Sequence, residues 1–117
     1  MDGKSTIYYE VLSGGHMIRG TTPTLKFGIQ GLEVSEIDKA FVTIKQIDKV
    51  LTKTVDSIQF DNEKNILSLE LSQEETLSFE DGTLEIQIRI ITKAGKALAT
   101  PVKKTTMEKV LLDEIIG

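Results

Sequence analysis

The sequence has no cysteine, no tryptophan, one histidine and two prolines in 117 residues. Without cysteine the chain can form no disulfide, thiolate metal site or cysteine nucleophile, which fits synthesis in a reducing compartment. The single histidine, His16, follows Gly14-Gly15 and is interpreted as a loop or linker residue, because a catalytic triad needs a rigidly oriented imidazole. One histidine is also too few for a typical zinc site. We therefore expect a protein that is not an enzyme, with no metal and no cofactor.

Positive charge and long apolar runs are also scarce. Fourteen Lys and Arg residues against eighteen Asp and Glu give a net charge of −4, and Lys103-Lys104 is the only basic doublet. Binding to a nucleic-acid backbone needs clustered cations, so we expect no nucleic-acid partner. No apolar run approaches the ~20 residues that span a bilayer, and the N-terminal sequence lacks a signal-peptide pattern. We expect a soluble protein, made in the cytoplasm, with no membrane partner and no small-molecule substrate.

Alternation of apolar and polar residues dominates the rest of the sequence. In TLEIQIRII (83–91), four apolar residues alternate with Glu85, Gln87 and Arg89, which predicts a strand with one dry and one wet face. The same period recurs in TLKFGI (24–29), AFVTIKQI (40–47) and ILSLEL (66–71). Weaker strand candidates are 6–12, 50–55, 97–102 and 105–111, and a polar turn at 61–65 separates 57–60 from 66–71. The pattern predicts an all-β antiparallel sandwich of about seven to eight strands.

Two short helical turns are expected within this β fold. Ser72 and Glu75 have the spacing of a capping box, and Ser35 and Asp38 offer a weaker version. The polar run 61–65 faintly resembles the start of a calcium loop but lacks the glycine and glutamate of an EF-hand, so it is interpreted as a turn. Few aromatic residues are available for a carbohydrate-binding face.

The N-terminal segment 1–16 has two interpretations. The Gly-Gly-His-Met sequence at 14–17 is typical of a cloning junction, in which case the natural protein begins at Met17. However, STIYYEVL (5–12) has the β-branched and aromatic density of a strand, which favours a natural segment. We therefore divide the chain into an extension (1–16), either an extra strand of its own sheet or one exchanged with a neighbour, and a sandwich domain (17–117).

Apolar residues near the two ends of the sequence are the candidates for protein contact. The C-terminal sequence VLLDEIIG follows the last clear strand, and small sandwiches expose apolar patches mainly where they assemble. Packing on their own domain is the alternative for these residues. The predicted subunit-contact residues are Ile7, Tyr8, Tyr9, Val11, Leu111, Leu112, Ile115 and Ile116.

Several segments together resemble a known family. MIRGTTPTLKF (17–27), AFVTIKQ (40–46), LSQEETLSFEDGTLEIQIRI (71–90) and VLLDEII (110–116) are similar to small immunoglobulin-like β-sandwich proteins of tailed-phage and prophage tail regions, in particular the N-terminal domain of baseplate upper proteins. The resemblance implies an immunoglobulin-like fold and a structural, non-enzymatic virion protein. Its implied partners are other virion proteins and further copies of itself in a symmetric assembly.

The resemblance leaves the location within the particle open. Baseplate upper proteins continue into a fibre region beyond this domain, so baseplate, tail, capsid decoration and fibre anchoring all remain candidates. A carbohydrate-binding or calcium-dependent adhesion module is the alternative from another functional class.

Overall fold

The computed structural model describes residues 6–117, which form a sandwich of two β-sheets. Its ten strands are β1 (Tyr8–Ser13), β2 (His16–Ile18), β3 (Thr24–Gln30), β4 (Ile37–Gln46), β5 (Lys49–Lys53), β6 (Gln59–Asp61), β7 (Ile66–Glu70), β8 (Gly82–Thr92), β9 (Ala97–Ala99) and β10 (Lys103–Glu108). One short helix, α1 (Gln73–Leu77), connects β7 to β8, and 3-10 turns occupy Val34–Glu36 and Val55–Ser57.

The strand order is that of an immunoglobulin-like sandwich. One sheet has the order β1-β3-β7-β6 and the other β2-β10-β8-β4-β5, with β9 also paired to β8. These orders match the ABED sheet and the extended GFC sheet of that fold. All strand pairs are antiparallel except β2 and β10, which run parallel. The predicted all-β sandwich is confirmed, with ten strands rather than seven to eight.

The inward positions of the alternating segments form the core. Ile86, Ile88 and Ile90 of β8 are almost fully buried and lie opposite β4, whose inner residues are also buried. Across the interior, β3 and β7 contribute the buried Leu25, Phe27, Leu67 and Leu69. Apolar side chains thus alternate inward in both sheets, as the sequence period predicts.

Strand ends account for most differences from the sequence prediction. The segment 97–102 ends as a strand at Ala99, because Pro101 has no backbone N–H with which to continue the ladder. The predicted strand 105–111 instead covers Lys103–Glu108, so residues 109–117 leave the sheet. β2 was not predicted, since three residues are too few to show a period.

The capping box at α1 is confirmed. The Glu75 N–H donates to Ser72 Oγ at 3.1 Å, and the Ser72 N–H donates to Glu75 Oε1 at 2.8 Å. The second helical candidate is wrong in detail: it is a 3-10 turn over Val34–Glu36, with no side-chain cap. A single turn is too short to benefit from the cap that Ser35 and Asp38 were expected to supply.

The described part of segment 1–16 belongs to this sandwich. β1 pairs with β3 in one sheet, whereas β2 pairs with β10 in the other, so the chain crosses between sheets at Gly14-Gly15. Gly14 has φ of +82°, and a Cβ there would lie 2.3 Å from Leu25 Cδ2. Glycine is required at this crossing. The predicted boundary between residues 16 and 17 lies inside β2, and residues 1–5 of the predicted extension lie outside the described part.

Candidate protein-contact surfaces

Arg19 organises one end of the sandwich. Its side chain is only 10% exposed, and it donates from Nε to the Phe79 carbonyl at 2.5 Å and from Nη2 to the Leu77 carbonyl at 2.8 Å. Its Nη1 lies 3.2 Å from Asp113 Oδ2 and its Nη2 3.8 Å from Glu80 Oε2. The planar guanidinium can satisfy carbonyls and carboxylates at once. Arg19 therefore joins the β2–β3 loop, the end of α1 and the C-terminal residues.

The C-terminal residues 109–117, called the tail below, have a second attachment to α1. The Ile116 N–H donates to Gln73 Oε1 and Gln73 Nε2 donates to the Ile116 carbonyl, both at 2.8 Å. A side-chain amide here pairs with backbone groups as a neighbouring strand would. Together with Arg19–Asp113, this pair fixes the tail at two points three residues apart.

Four apolar side chains of this attached tail face solvent. Leu111 is 96% exposed, Leu112 56%, Ile115 61% and Ile116 58%. The polar contacts, rather than burial of these side chains, hold the tail in place. Exposed apolar side chains in a fixed arrangement are typical of a protein-contact surface. We call Leu111, Leu112, Ile115 and Ile116, with the intervening Asp113 and Glu114, the tail patch.

A fifth exposed apolar residue lies at the same end of the sandwich. Ile47 is 84% exposed in the β4–β5 turn and has φ of +52°, a conformation that β-branched residues rarely adopt. Arg19 and its partners Leu77, Phe79, Glu80 and Asp113 are called the Arg19 cluster below. The turn is attached to this cluster because Gln46 exchanges two hydrogen bonds with the backbone of Glu80.

The second candidate surface is the solvent-facing side of the six-stranded sheet, here called the outer face. Between the buried residues of β4 lie Lys39, Phe41, Thr43 and Lys45, and Phe41 is half-buried on this side. The opposing positions of β8 are Ile91, Arg89, Gln87 and Glu85. Phe41 and Ile91 thus lie among charged residues on the outer face.

The predicted contact residues of the N-terminal segment separate into two groups. Ile7 and Tyr9 are 2% and 1% exposed and pack in the chain's own core, and Val11 packs against that core. Tyr8 is 52% exposed. The side chains of Ile7, Tyr9 and Val11 are therefore covered by this chain, while their proposed contact with another subunit stays a prediction.

Tyr9 links the two sheets. Its hydroxyl donates to the Ile86 carbonyl at 3.0 Å, its ring meets Phe27 edge-on at a centroid distance of 5.2 Å, and Lys103 Nζ lies 4.8 Å from the ring centroid. Burial raises the pKa of Tyr9 to about 12. Tyr9 therefore connects the two sheets through contacts within the core.

His16 and the polar turn 61–65, which the sequence analysis considered for catalysis and calcium binding, belong to a strand and a turn of the sandwich. His16 lies in β2 rather than in a linker, with Nδ1 4.0 Å from Glu108 Oε2, and it is 77% exposed. Asp61 accepts the Glu63 and Lys64 N–H groups, which confirms the predicted turn. Among residues 6–117, no group of three or more metal-ligating side chains comes together. No helix in this part of the chain is long and apolar enough to cross a membrane.

One groove lies at the other end of the sandwich from the tail. It has a volume of about 670 Å³ and is lined by Ile7, Leu32, Glu36, Lys93 and Leu98 among others.

Comparison with known proteins adds no family. No protein-family model and no curated protein matches this chain.

Arg19, Phe41 and Ile47 are residues that the sequence interpretation did not select. Phe41 could have been found, because the inward alternation of Ala40, Val42 and Ile44 places it on the wet face. The role of Arg19 could not, since its partners lie 58 to 94 residues away in sequence.

Proposed function

We propose that this chain is a non-enzymatic structural component of a phage particle, most simply a baseplate or tail protein that holds subunits together. The observation that carries the proposal is the tail patch, in which polar contacts fix a segment whose apolar side chains face solvent. A chain that gained only its own stability from this segment would bury Leu111 and Ile115 rather than expose them.

The resemblance to phage tail proteins supports the proposal at the same place. Arg19 belongs to the segment 17–27, Leu77 and Phe79 to 71–90, and Asp113 to 110–116, which are three of the four segments that carry the resemblance. These segments, far apart in sequence, meet at the Arg19 cluster. The segments that carry the resemblance thus include the residues that fix the tail.

Capsid decoration and fibre anchoring use the same kind of surface, so copy number is the property that separates them from a baseplate or tail role. Each location has a different symmetry, and the ratio of this chain to a known tail or capsid protein in purified particles reports it. A ratio matching the major capsid protein would move the proposal to decoration.

Peptide mass spectrometry on particles purified from the phage, or from the induced prophage, that encodes this sequence tests the proposal. Trypsin cleaves after Lys4 and Arg19, so the peptide 5–19 also reports whether particles contain the segment before Met17. Abundant host enzymes provide the control for contamination. We expect peptides of this chain at a level comparable with known tail proteins.

Two results would change the conclusion. Peptides beginning at Met17 would support the virion role and assign the preceding residues to an addition. Absence of the chain from particles in which minor tail proteins are well covered would overturn the structural role, and binding to glycans or calcium would then be tested.

A further inference from the structure

The outer face of the six-stranded sheet is positively charged although the whole chain carries a net charge of −4. At the regularly paired outward positions of its strands, four cations, Lys39, Lys45, Arg89 and Lys104, accompany two carboxylates, Glu85 and Glu108. Glu85 lies in register between Lys45 on one side and Lys104 of β10 on the other. One of the two negative charges is therefore flanked by two lysines.

Two shallow depressions lie next to each other on this face. One, of about 300 Å³, is lined by Phe41, Thr43, Arg89 and Ile91 among others. The other, of about 250 Å³, is lined by Thr43, Lys45, Glu85 and Val102 among others. Each combines an apolar wall with a cation, and the two share Thr43.

The tail patch has the complementary composition. Its sequence Leu-Leu-Asp-Glu-Ile-Ile places two carboxylates between two apolar pairs. Glu74 and Glu80, next to the anchoring contacts of the tail, add negative charge at this end. Leu112 and Ile115 are three residues apart, at most about 11 Å in extended chain. This upper limit is shorter than the roughly 13 Å between Phe41 and Lys45, four residues apart on β4, so both side chains fit within the length of the two depressions.

We infer that the tail patch of one copy docks on the outer face of a second copy. The inference rests on the proposed assembly function and names the partner, a second copy of this chain. Apolar pairs would enter the two depressions while Glu114 meets the cations beside them. Because one copy contributes its end and the other its sheet face, the interface is heterologous, and repeated docking gives rings or filaments rather than a closed two-fold dimer.

Sedimentation of the purified chain over a concentration series is the first measurement. We expect the mean mass to rise beyond that of a dimer, and to fall at high salt because the attraction between charges is screened. A chain that stays monomeric up to about 1 mM, a concentration at which millimolar interfaces are half-occupied, overturns the inference.

Mixing two variants tests the direction of docking. Leu112→Asp with Ile115→Asp removes the tail patch, and Phe41→Ser with Arg89→Glu removes the outer face. Each double variant alone should be monomeric, whereas the mixture should form one-to-one dimers and nothing larger, because only one of the two possible interfaces remains intact. Assembly of the outer-face variant alone would show tail-to-tail contact and overturn the inference.

Charge reversal gives a second test, with substitutions at exposed positions. Glu114→Lys and Arg89→Glu should each weaken association about tenfold, and combining them in one chain should recover part of the loss. Glu63→Lys and Lys64→Glu, in an exposed turn of the other sheet, are the matched controls and should change association less than twofold. If the control variants weakened association as much as the test variants, net charge alone would explain the loss, and the specific contact would be overturned.

Cross-linking within particles separates this inference from the proposed function. The tail-to-face cross-link between two copies supports both. The chain present in particles with its tail cross-linked only to a different protein retains the virion role and overturns self-docking. Self-association in solution by a chain absent from particles retains self-docking and overturns the virion role.

Discussion

Asp113 Oδ2 lies 3.2 Å from Nη1 of Arg19, which precedes it by 94 residues, and this contact attaches the tail to the sandwich. Asp113 itself is 58% exposed, while the arginine is almost completely buried. The two partners of one ion pair therefore have different roles, and substitutions should separate them.

Arg19→Ala should destabilise the fold by about 3 kcal/mol, because it leaves the buried Phe79 carbonyl unpaired and removes the centre of the cluster. Asp113→Asn should cost less than about 1 kcal/mol, since Asp113 is the exposed member of the pair and contributes little to folding stability. Both should increase amide hydrogen exchange in residues 109–117. Denaturant unfolding and exchange mass spectrometry measure the two effects, and unchanged exchange in Asp113→Asn would contradict the proposed attachment.

Tyr9→Phe should cost about 1–2 kcal/mol, because the Ile86 carbonyl loses its hydroxyl donor within the core. The native pKa of Tyr9, about 12, is higher than its value of about 10 in an unfolded chain. The unfolded state therefore releases its proton first, so the stability from Tyr9 is complete below about pH 10 and is lost as the pH rises towards 12. Chemical denaturation between pH 9 and pH 12 should show a flatter profile for Tyr9→Phe than for the exposed-site control Tyr8→Phe.

Asn65 holds the β3–β4 connection through three hydrogen bonds. Its Nδ2 donates to the Ile29 and Leu32 carbonyls, its Oδ1 accepts from the Val34 N–H, and its φ is +59°. Asn65→Asp replaces the donor with an oxygen facing two carbonyls and should cost about 3 kcal/mol at pH 7.

The pH dependence of this variant identifies the cause. The two carbonyls should raise the pKa of the introduced carboxyl in the folded state, so the defect should shrink as the pH falls and the carboxyl becomes a donor. Asn62→Asp, in the same exposed turn, should change stability by less than about 0.5 kcal/mol. If Asn65→Asp lost the same stability at pH 4 and at pH 7, the cause would be a change in side-chain packing rather than the missing Nδ2 donor.

Glu75 connects α1 to the edge strand β5. Its Oε2 lies 2.5 Å from Lys53 Nζ. Burial alone would raise the pKa of Glu75, but the hydrogen bond and charge of Lys53 and the bonds to Ser72 outweigh it and lower the pKa. The native state thus favours the ionised form, and its contribution is present above about pH 4.5 and is lost as the pH falls through the lowered pKa.

Glu75→Gln should therefore reduce stability by about 1 kcal/mol at pH 7, with the difference from the natural chain disappearing at low pH. Thermal unfolding from pH 3 to pH 7 measures it. Glu74→Gln, next to it but exposed, is the matched control and should follow the natural profile more closely. A difference that persists at pH 3 would rule out ionisation as its source.

Ile47 is a site where substitution should stabilise the protein. Asparagine tolerates the left-handed conformation that a β-branched residue does not, so Ile47→Asn should add about 1 kcal/mol. Val50→Asn, on regular extended backbone of the adjacent strand, should instead destabilise it. Chemical denaturation compares the two, and a destabilised Ile47→Asn would mean that the turn does not carry this backbone conformation in solution.

The main strands and the helix cap were predictable because they are local properties. The period of β8 and the pair Ser72 and Glu75 each act within a few residues, so a single sequence displays them. Attachment of the tail depends on Arg19 and Gln73, whose partners are brought near only by the complete fold. The number of strands was predicted wrongly for the same reason, since β2 forms by pairing with the edge strand β10 of the complete fold.

The burial of the N-terminal contact candidates also lay beyond the sequence pattern. In STIYYEVL, alternation indicates that Ile7 and Tyr9 share a face but not whether that face meets the same chain or a neighbour. Pairing of β1 with β3 directs it into this chain's core. For the tail, no period indicated whether Leu111 and Ile115 would be covered, and exposure became apparent only from the structure.

The parallel pairing of β2 and β10 has a mechanical consequence. The chain enters the sandwich through β1, but a force applied between β2 and the C-terminal residues draws β2 and β10 past each other along their length, because these two strands run in the same direction. The three register pairs that join them, Thr106 with His16, Met107 with Met17 and Glu108 with Ile18, are then sheared together instead of opening one by one. The β2–β10 pair therefore resists a pull along its strands more strongly than a pull across them.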